Sequence, residues 1–175
     1  MNINNKNLAH SVYLSIGSNI GDKKKNLNAA IDLLGRHEEI EVVRVSSFYK
    51  TEPQNYKAQD WFLNAVLIIK TSMEPEDLLT VFKQLEKTMD KDGKAFRFGP
   101  RIIDLDIIYY DDLIIKTGTL EIPHPRMHER CFVLVPLCDI EPGKIHPVFN
   151  LRSDELLKKI EQQETQKVVL LKEGV

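Results

Sequence analysis

The chain has 175 residues, a length suited to one domain. Hydrophobic residues make up 42% and charged residues 29%, which is enough to build a core and excludes a largely disordered chain. Lys and Arg total 24 against 26 Asp and Glu, a net charge of −2 that argues against nonspecific nucleic-acid or membrane binding as the main role. An anionic ligand would need a local cluster of positive charge. The two cysteines, Cys131 and Cys138, have neither disulfide-framework nor zinc-site spacing. Residues 1–7 are polar without an apolar signal core, and no apolar run approaches the roughly 18 residues of a membrane span. A reduced, cytoplasmic protein is the expectation, with residues 1–10 a loose tail and 11–175 a single domain.

Taken in chain order, residues 11–16 alternate, with Val12, Leu14 and Ile16 on one face of a strand. Residues 17–22 form a turn, and Asp22 is placed to cap a helix. Leu27, Ala30, Ile31 and Leu34 give that helix its stripe, and Gly35 ends it. Residues 40–49 are β-branched and aromatic, a second strand. Residues 51–59 read as a loop, and 61–70 as a third strand. Pro75 opens a second helix striped by Leu78, Phe82, Leu85 and Met89. Residues 90–100 form a charged, glycine-containing loop, and 102–110 a fourth strand. The order βαββαβ is that of a ferredoxin-like α/β sandwich with an antiparallel sheet. Beyond it, Asp111-Asp112 makes a turn before a short extended piece. Pro123, Pro125 and Pro136 punctuate an irregular segment. Ser153 is placed to cap a last helix carrying Leu156, Leu157 and Ile160, and residues 168–171 make a short final strand. These are C-terminal additions to the sandwich.

The sharpest chemical feature is Asp104-Leu105-Asp106. Alternation in a strand puts both acids on one face, about 6–7 Å apart by backbone rise. Two charges there repel by roughly 2–3 kcal/mol at an effective dielectric of 20. A divalent cation between them removes that cost, and magnesium prefers carboxylates completed by water and phosphate. The competing interpretation is a solvent-facing strand with two acids by chance. The preceding segment favours the cation: Lys87, Lys91, Lys94, Arg97 and Arg101 meet only Asp90 and Asp92. Mobile cations beside a metal-binding pair suit a polyphosphate, although a charge run is also simply a solvated loop. Arg101, held by Pro100, could grip phosphate in bidentate fashion.

Other features are weaker. Gly17-Ser18-Asn19 could offer backbone N–H groups to an anion, or could be ordinary turn chemistry. No Walker or dinucleotide glycine pattern is present. His124, between two prolines, and Arg130 could clamp phosphate. Phe62, Trp61 and Phe132 could stack on a flat ring with Asn64 reading its edge, or could be core. His10, His37, His128 and His146 show no partnering pattern. No nucleophile arrangement appears, so metal and positional catalysis are favoured over covalent chemistry.

Together these motifs resemble the 6-hydroxymethyl-7,8-dihydropterin pyrophosphokinases of folate biosynthesis. The likeness is carried by Ile16-Gly-Ser-Asn19, Ser46-Ser-Phe-Tyr49, Thr51, Phe62-Leu-Asn64, Glu86, Phe98-Gly-Pro-Arg-Ile-Ile-Asp-Leu-Asp106 and Ile122-Pro-His-Pro-Arg-Met-His-Glu-Arg130. The resemblance implies a ferredoxin-like fold with a central cleft, ATP as co-substrate and two magnesium ions. It implies transfer of pyrophosphate from ATP to the pterin hydroxymethyl oxygen, with release of AMP. Asp104 and Asp106 would hold the metal. Arg101, His124 and Arg130 would contact ATP phosphates, with Glu86 and Phe98 bordering the nucleotide and Lys91 and Lys94 in a catalytic loop. Asn64 would bond the pterin, flanked by Phe62, Phe132 and residues Thr51, Glu52, Pro53 and Gln54. A stand-alone monomer acting on small molecules is implied, with no nucleic-acid or membrane partner.

The chain departs from the family pattern at four places. Asp90-Lys91 stands for Gly-Arg, Phe98 for Trp, Glu52 for Pro and Pro125 for Tyr. Lysine lacks the planar fork of arginine. The rival classes are a non-catalytic ferredoxin-like module binding nucleotide or nucleic acid, and a different magnesium-dependent transferase.

Overall fold

The computed structural model describes residues 8–54, 57–90, 99–163 and 166–172. The elements are β1 (His10–Ser18), α1 (Lys23–Gly35), β2 (Ile40–Val45), β3 (Tyr49–Thr51), β4 (Phe62–Thr71), α2 (Pro75–Met89) and β5 (Asp104–Tyr110). Then come β6 (Ile115–Lys116), β7 (Glu121–Ile122), α3 (Cys131–Ile140), β8 (Ile145–His146), β9 (Leu151–Arg152), α4 (Ser153–Glu161) and β10 (Val168–Leu170). The main sheet is antiparallel, ordered β10-β3-β4-β1-β5, with β2 also paired to β4. Among the described residues no helix is long and apolar enough to cross a membrane.

β1 is an interior strand, between β4 and β5, and its two faces have different tasks. Val12, Leu14 and Ile16 are fully buried against α1 and α2, with Leu27, Ala30, Leu34, Leu78 and Phe82. This is the hydrophobic stripe legible in the sequence. The α1 N-terminus is capped as its sequence suggests: the Asp22 carboxylate accepts from the Lys25 N–H at 3.0 Å. Pro75 stands in the first turn of α2. On the opposite face Val66, Ile108 and Tyr109 pack against Leu134 and Leu137 of α3 and Leu156 and Ile160 of α4. Helices therefore cover both faces of the sheet.

Four features differ from the sequence reading. The strand over residues 40–49 is two strands, because Ser46 interrupts it. Its hydroxyl accepts from the Val66 N–H at 2.9 Å, and the Ser47 N–H donates to the Asp139 carboxylate at 2.7 Å. Side chains there take over backbone hydrogen bonding. The segment marked irregular by Pro136 contains a helix, α3, with that proline inside it. Burial between β4 and α4 compensates for the missing N–H. Ser153 does not cap α4 but is its first residue, fully buried and donating to the Lys144 carbonyl at 3.1 Å. Arg152 precedes it, its N–H bonded to Glu155 at 2.8 Å. Finally, the β1–β5 register skips a residue between Ile107 and Tyr109, a β-bulge that reverses the alternation. Leu105 and Ile107 therefore face α1 and α2, whereas Tyr109 faces α3 and α4.

His146 stabilises the second layer. Its Nδ1 accepts from the Val148 and Phe149 N–H groups at 3.2 and 3.3 Å, and its ring stacks on Phe149 at 4.4 Å. Burial, then His128 nearby, lowers its pKa from 6.5 to about 4. The unfolded chain therefore binds a proton between those values that the folded chain refuses. The resulting stability is complete above pH 6.5 and is lost as pH falls toward 4, by up to about 1.4 kcal/mol per pH unit. The urea midpoint should drop between pH 7 and pH 5, and His146→Asn should flatten that profile. An equal slope in the variant would contradict this role.

Candidate active site

The site face of β1 carries Ser15 and Gly17, which are small. Register places Asp106 opposite Ser15 and Asp104 opposite Gly17 on β5, and Asn64 opposite Gly17 on β4. Small residues in the middle strand, flanked by longer polar ones, make a trough. It opens into a cleft of about 280 Å³. Gly17 has to be glycine: a Cβ there would lie 2.4 Å from Asn64 Oδ1.

The cleft gathers residues far apart in sequence. Arg101, Asp104, Asp106, His124 and Arg130 line it, and so do Thr51, Glu52, Pro53, Gln54, Phe62, Asn64 and Phe132. Asn64 is buried and donates to Thr51 Oγ1 at 2.6 Å. Two expected neighbours are elsewhere. Trp61 is exposed and off the cleft, its carbonyl accepting from Lys23 Nζ at 2.7 Å. Glu86 lies behind the cleft wall, where Oε1 accepts from the Leu105 N–H at 2.8 Å and fixes α2 to β5 beside the acids. Its partner Lys83, at 3.0 Å, lines the cleft instead. Lys91, Lys94 and Phe98 lie outside the described residues.

Each acid meets a guanidinium. Arg101 Nη1 bonds Asp104 Oδ2 at 2.7 Å, and Arg130 Nη1 lies 4.0 Å from Asp106 Oδ2. Asp104 is 23% exposed and Asp106 is 36% exposed, so both carboxylates keep an open side. Among the described residues no group of three or more His, Cys, Asp or Glu could form a metal cage. Two partly open carboxylates fit a hard cation that completes its shell with water and phosphate. Arg101 is itself held from β1. Asn19 Oδ1 accepts from its N–H at 2.8 Å, and the Asn19 N–H donates to its carbonyl at 3.1 Å. The Gly-Ser-Asn motif thus clasps the segment entering β5, and this accounts for Asn19 without an anion. Ser18 Oγ in turn accepts from Asn26 at 3.1 Å.

His124 supplies a donor without charge. Burial, then Arg130 and Arg126, lowers its pKa to about 4, so it is neutral at pH 7. The Arg126 N–H donates to Nδ1 at 3.1 Å, leaving the proton on Nε2. Nε2 is 3.3 Å from Arg130 Nη1. Two donors side by side call for a shared acceptor, and a phosphate oxygen supplies one. Lys83, Arg101, Arg126 and Arg130 face Glu52, Asp104 and Asp106 across this cleft, so its described lining is net positive although the chain is net negative. A second cavity of about 360 Å³ adjoins it and shares Lys83, Asp106 and His124. Sequence reasoning missed Lys83, Arg126, Gln59 and Gln166 as lining residues. Gln166 carried no motif, and Lys83 looked like any exposed helical lysine.

The 7,8-dihydro-6-hydroxymethylpterin-pyrophosphokinase family model matches residues 13–142. A pyrophosphokinase of Bacillus subtilis, named for 2-amino-4-hydroxy-6-hydroxymethyldihydropteridine, is 44% identical over 128 residues, 73% of this chain and 76% of its own length. A folic acid synthesis protein of Dictyostelium discoideum is 46% identical over 157 residues. That alignment covers 89% of this chain but 23% of the relative, so the chain spans about a quarter of that protein. A crystal structure of Plasmodium falciparum HPPK-DHPS superposes with a TM-score of 0.70 at 16% identity, covering 88% of this chain and 46% of that one. At that identity the superposition speaks for the fold. With 130 consecutive positions matched and the shared motifs converging on one cleft, the chain belongs to the 7,8-dihydro-6-hydroxymethylpterin-pyrophosphokinase family.

Proposed function

We propose that this chain transfers the pyrophosphoryl group of ATP to the hydroxymethyl oxygen of 6-hydroxymethyl-7,8-dihydropterin, yielding the pterin diphosphate and AMP. One observation carries the reading. The acid pair of β5, the His124–Arg130 donor pair and the Asn64–Thr51 polar pair face a single cleft across the Gly17–Ser15 trough. A flat polar ring suits the Asn64 side, between Phe62 and Phe132. A triphosphate suits the cationic side, with the adjoining cavity available to the nucleoside. The antiparallel order, and a succession that becomes βαββαβ when β2 and β3, both paired to β4, are taken as one interrupted strand, support a ferredoxin-like reading of residues 10–110, with later elements as additions.

Asp104 and Asp106 would hold magnesium, and the family likeness suggests two ions. The chemistry it supplies when bound is neutralisation of charge on the triphosphate. The protein's own groups do the rest. Arg130, Arg126 and neutral His124 donate to phosphate oxygens and hold them in line with the acceptor. Arg101, bonded to Asp104 here, would be available to phosphate where Asp104 held the metal. Asn64, fixed by Thr51, orients the ring so that its hydroxymethyl group points along the trough toward the acids.

Incubating the protein with ATP, magnesium and the reduced pterin should release AMP only when the pterin is present. Nucleotide binding without turnover would favour the non-catalytic module. Asp106→Ala should lower kcat by on the order of 10³ while leaving the unfolding midpoint nearly unchanged; ordinary turnover would remove the metal assignment. Gly17→Ala should displace the Asn64 amide and raise the pterin KM about tenfold, the equivalent of losing roughly one buried hydrogen bond. An unaltered pterin KM would separate Asn64 from acceptor binding.

A further inference from the structure

A single side-chain amide ties two walls of the cleft together, and it lies beyond the segment the family model matches. Gln166 Oε1 accepts from the Phe132 N–H at 3.2 Å and lies 3.5 Å from Gln54 Nε2. Gln166 Nε2 donates to the Glu52 carbonyl. One wall is the start of α3, carrying Phe132. The other is the loop after β3, carrying Glu52, Pro53 and Gln54. The α3 N-terminus receives no side-chain cap from Arg130, the residue before it. A first-turn N–H would otherwise lack a partner, and Gln166 provides it from 34 residues away.

The amide is held by a strap. The Glu52 N–H donates to the Lys167 carbonyl at 3.1 Å, and the Lys167 N–H donates to Glu52 Oε2 at 3.2 Å. Val168–Leu170 then pairs antiparallel with Tyr49–Thr51, and the Leu171 N–H reaches the Phe48 carbonyl at 2.8 Å. Gln166 itself lines the cleft, yet its oxygen and its nitrogen are both engaged with protein groups. Such a group sets geometry.

We propose that Gln166 is a positioning residue for the flat acceptor. It fixes the separation between Phe132 and the 52–54 loop and so preorganises the acceptor half of the cleft more than the triphosphate half. The inference rests on the pyrophosphoryl-transfer reading and names the residue that tunes its acceptor site. Preorganised walls bind a rigid ring without first being ordered by it. On the triphosphate side, the Arg126 N–H donates to His124 Nδ1 without help from the strap, while the Arg130 guanidinium lies 5.3 Å over the Phe132 ring.

The test is steady-state kinetics of the full chain with ATP and 6-hydroxymethyl-7,8-dihydropterin varied separately, on the parent, Gln166→Met and Lys172→Ala. Methionine keeps length and bulk but loses both hydrogen bonds. Gln166→Met should raise the pterin KM about tenfold, with the ATP KM and kcat within about twofold and the unfolding midpoint little changed. Lys172→Ala, which removes an exposed side chain beyond the strap, should behave as the parent. An unchanged pterin KM in Gln166→Met overturns the proposal. So does a parallel rise in both KM values with a lowered unfolding midpoint, which would mark a general structural role. A parent that releases no AMP with the pterin instead refutes the transfer reading, and the proposal falls with it.

Discussion

Two carboxylates on one face of a strand repel each other, and the cleft is organised around that repulsion. In the structure Arg101 offsets it at Asp104, and the Arg130 guanidinium lies 4.0 Å from Asp106. Both cations come from segments that other parts of the molecule hold in place. Asn19 fixes the backbone of Arg101 through bonds to its N–H and its carbonyl. Glu86 fixes Leu105, between the acids, from α2. A charge pair that is expensive to assemble is thus pinned from β1 and α2. Under the proposed function, that preorganisation would let it take a cation without rebuilding the fold.

The same economy explains β1. One face of β1 is an unbroken apolar stripe in the core, and the other, past Tyr13 in the second core, carries only Ser15 and Gly17 at its cleft end. Bare positions in the middle of a sheet leave a concavity that α3 and α4 do not fill. Gly17 marks its tightest point, where the Asn64 amide would collide with any side chain. Core packing and the binding trough are two faces of one nine-residue strand, so substitutions in β1 should couple stability to substrate binding more tightly than substitutions elsewhere.

The sequence made the two-residue alternation of β1 and the acid pair of β5 legible, because both follow from the pleat alone. Asp22 and Pro75 marked helix starts for equally local reasons. What escaped depends on tertiary context. Pro136 argued against a helix that burial sustains. Ser46 broke a strand through hydroxyl bonds that no propensity reports, and the bulge at Ile108 shifted the alternation with no glycine to signal it. Asn19 looked like a turn or an anion site until its partner, 82 residues on, was visible. Gln166 had no motif, and its importance comes from where β10 docks.

The account is tested most directly by a crystal structure of the protein with magnesium and a non-hydrolysable ATP analogue. It predicts metal density coordinated by Asp104 and Asp106, with analogue phosphate oxygens completing the shell and reaching His124 and Arg130. Analogue bound in another part of the molecule, with Asp104 still bonded to Arg101 and no metal at the pair, would contradict it.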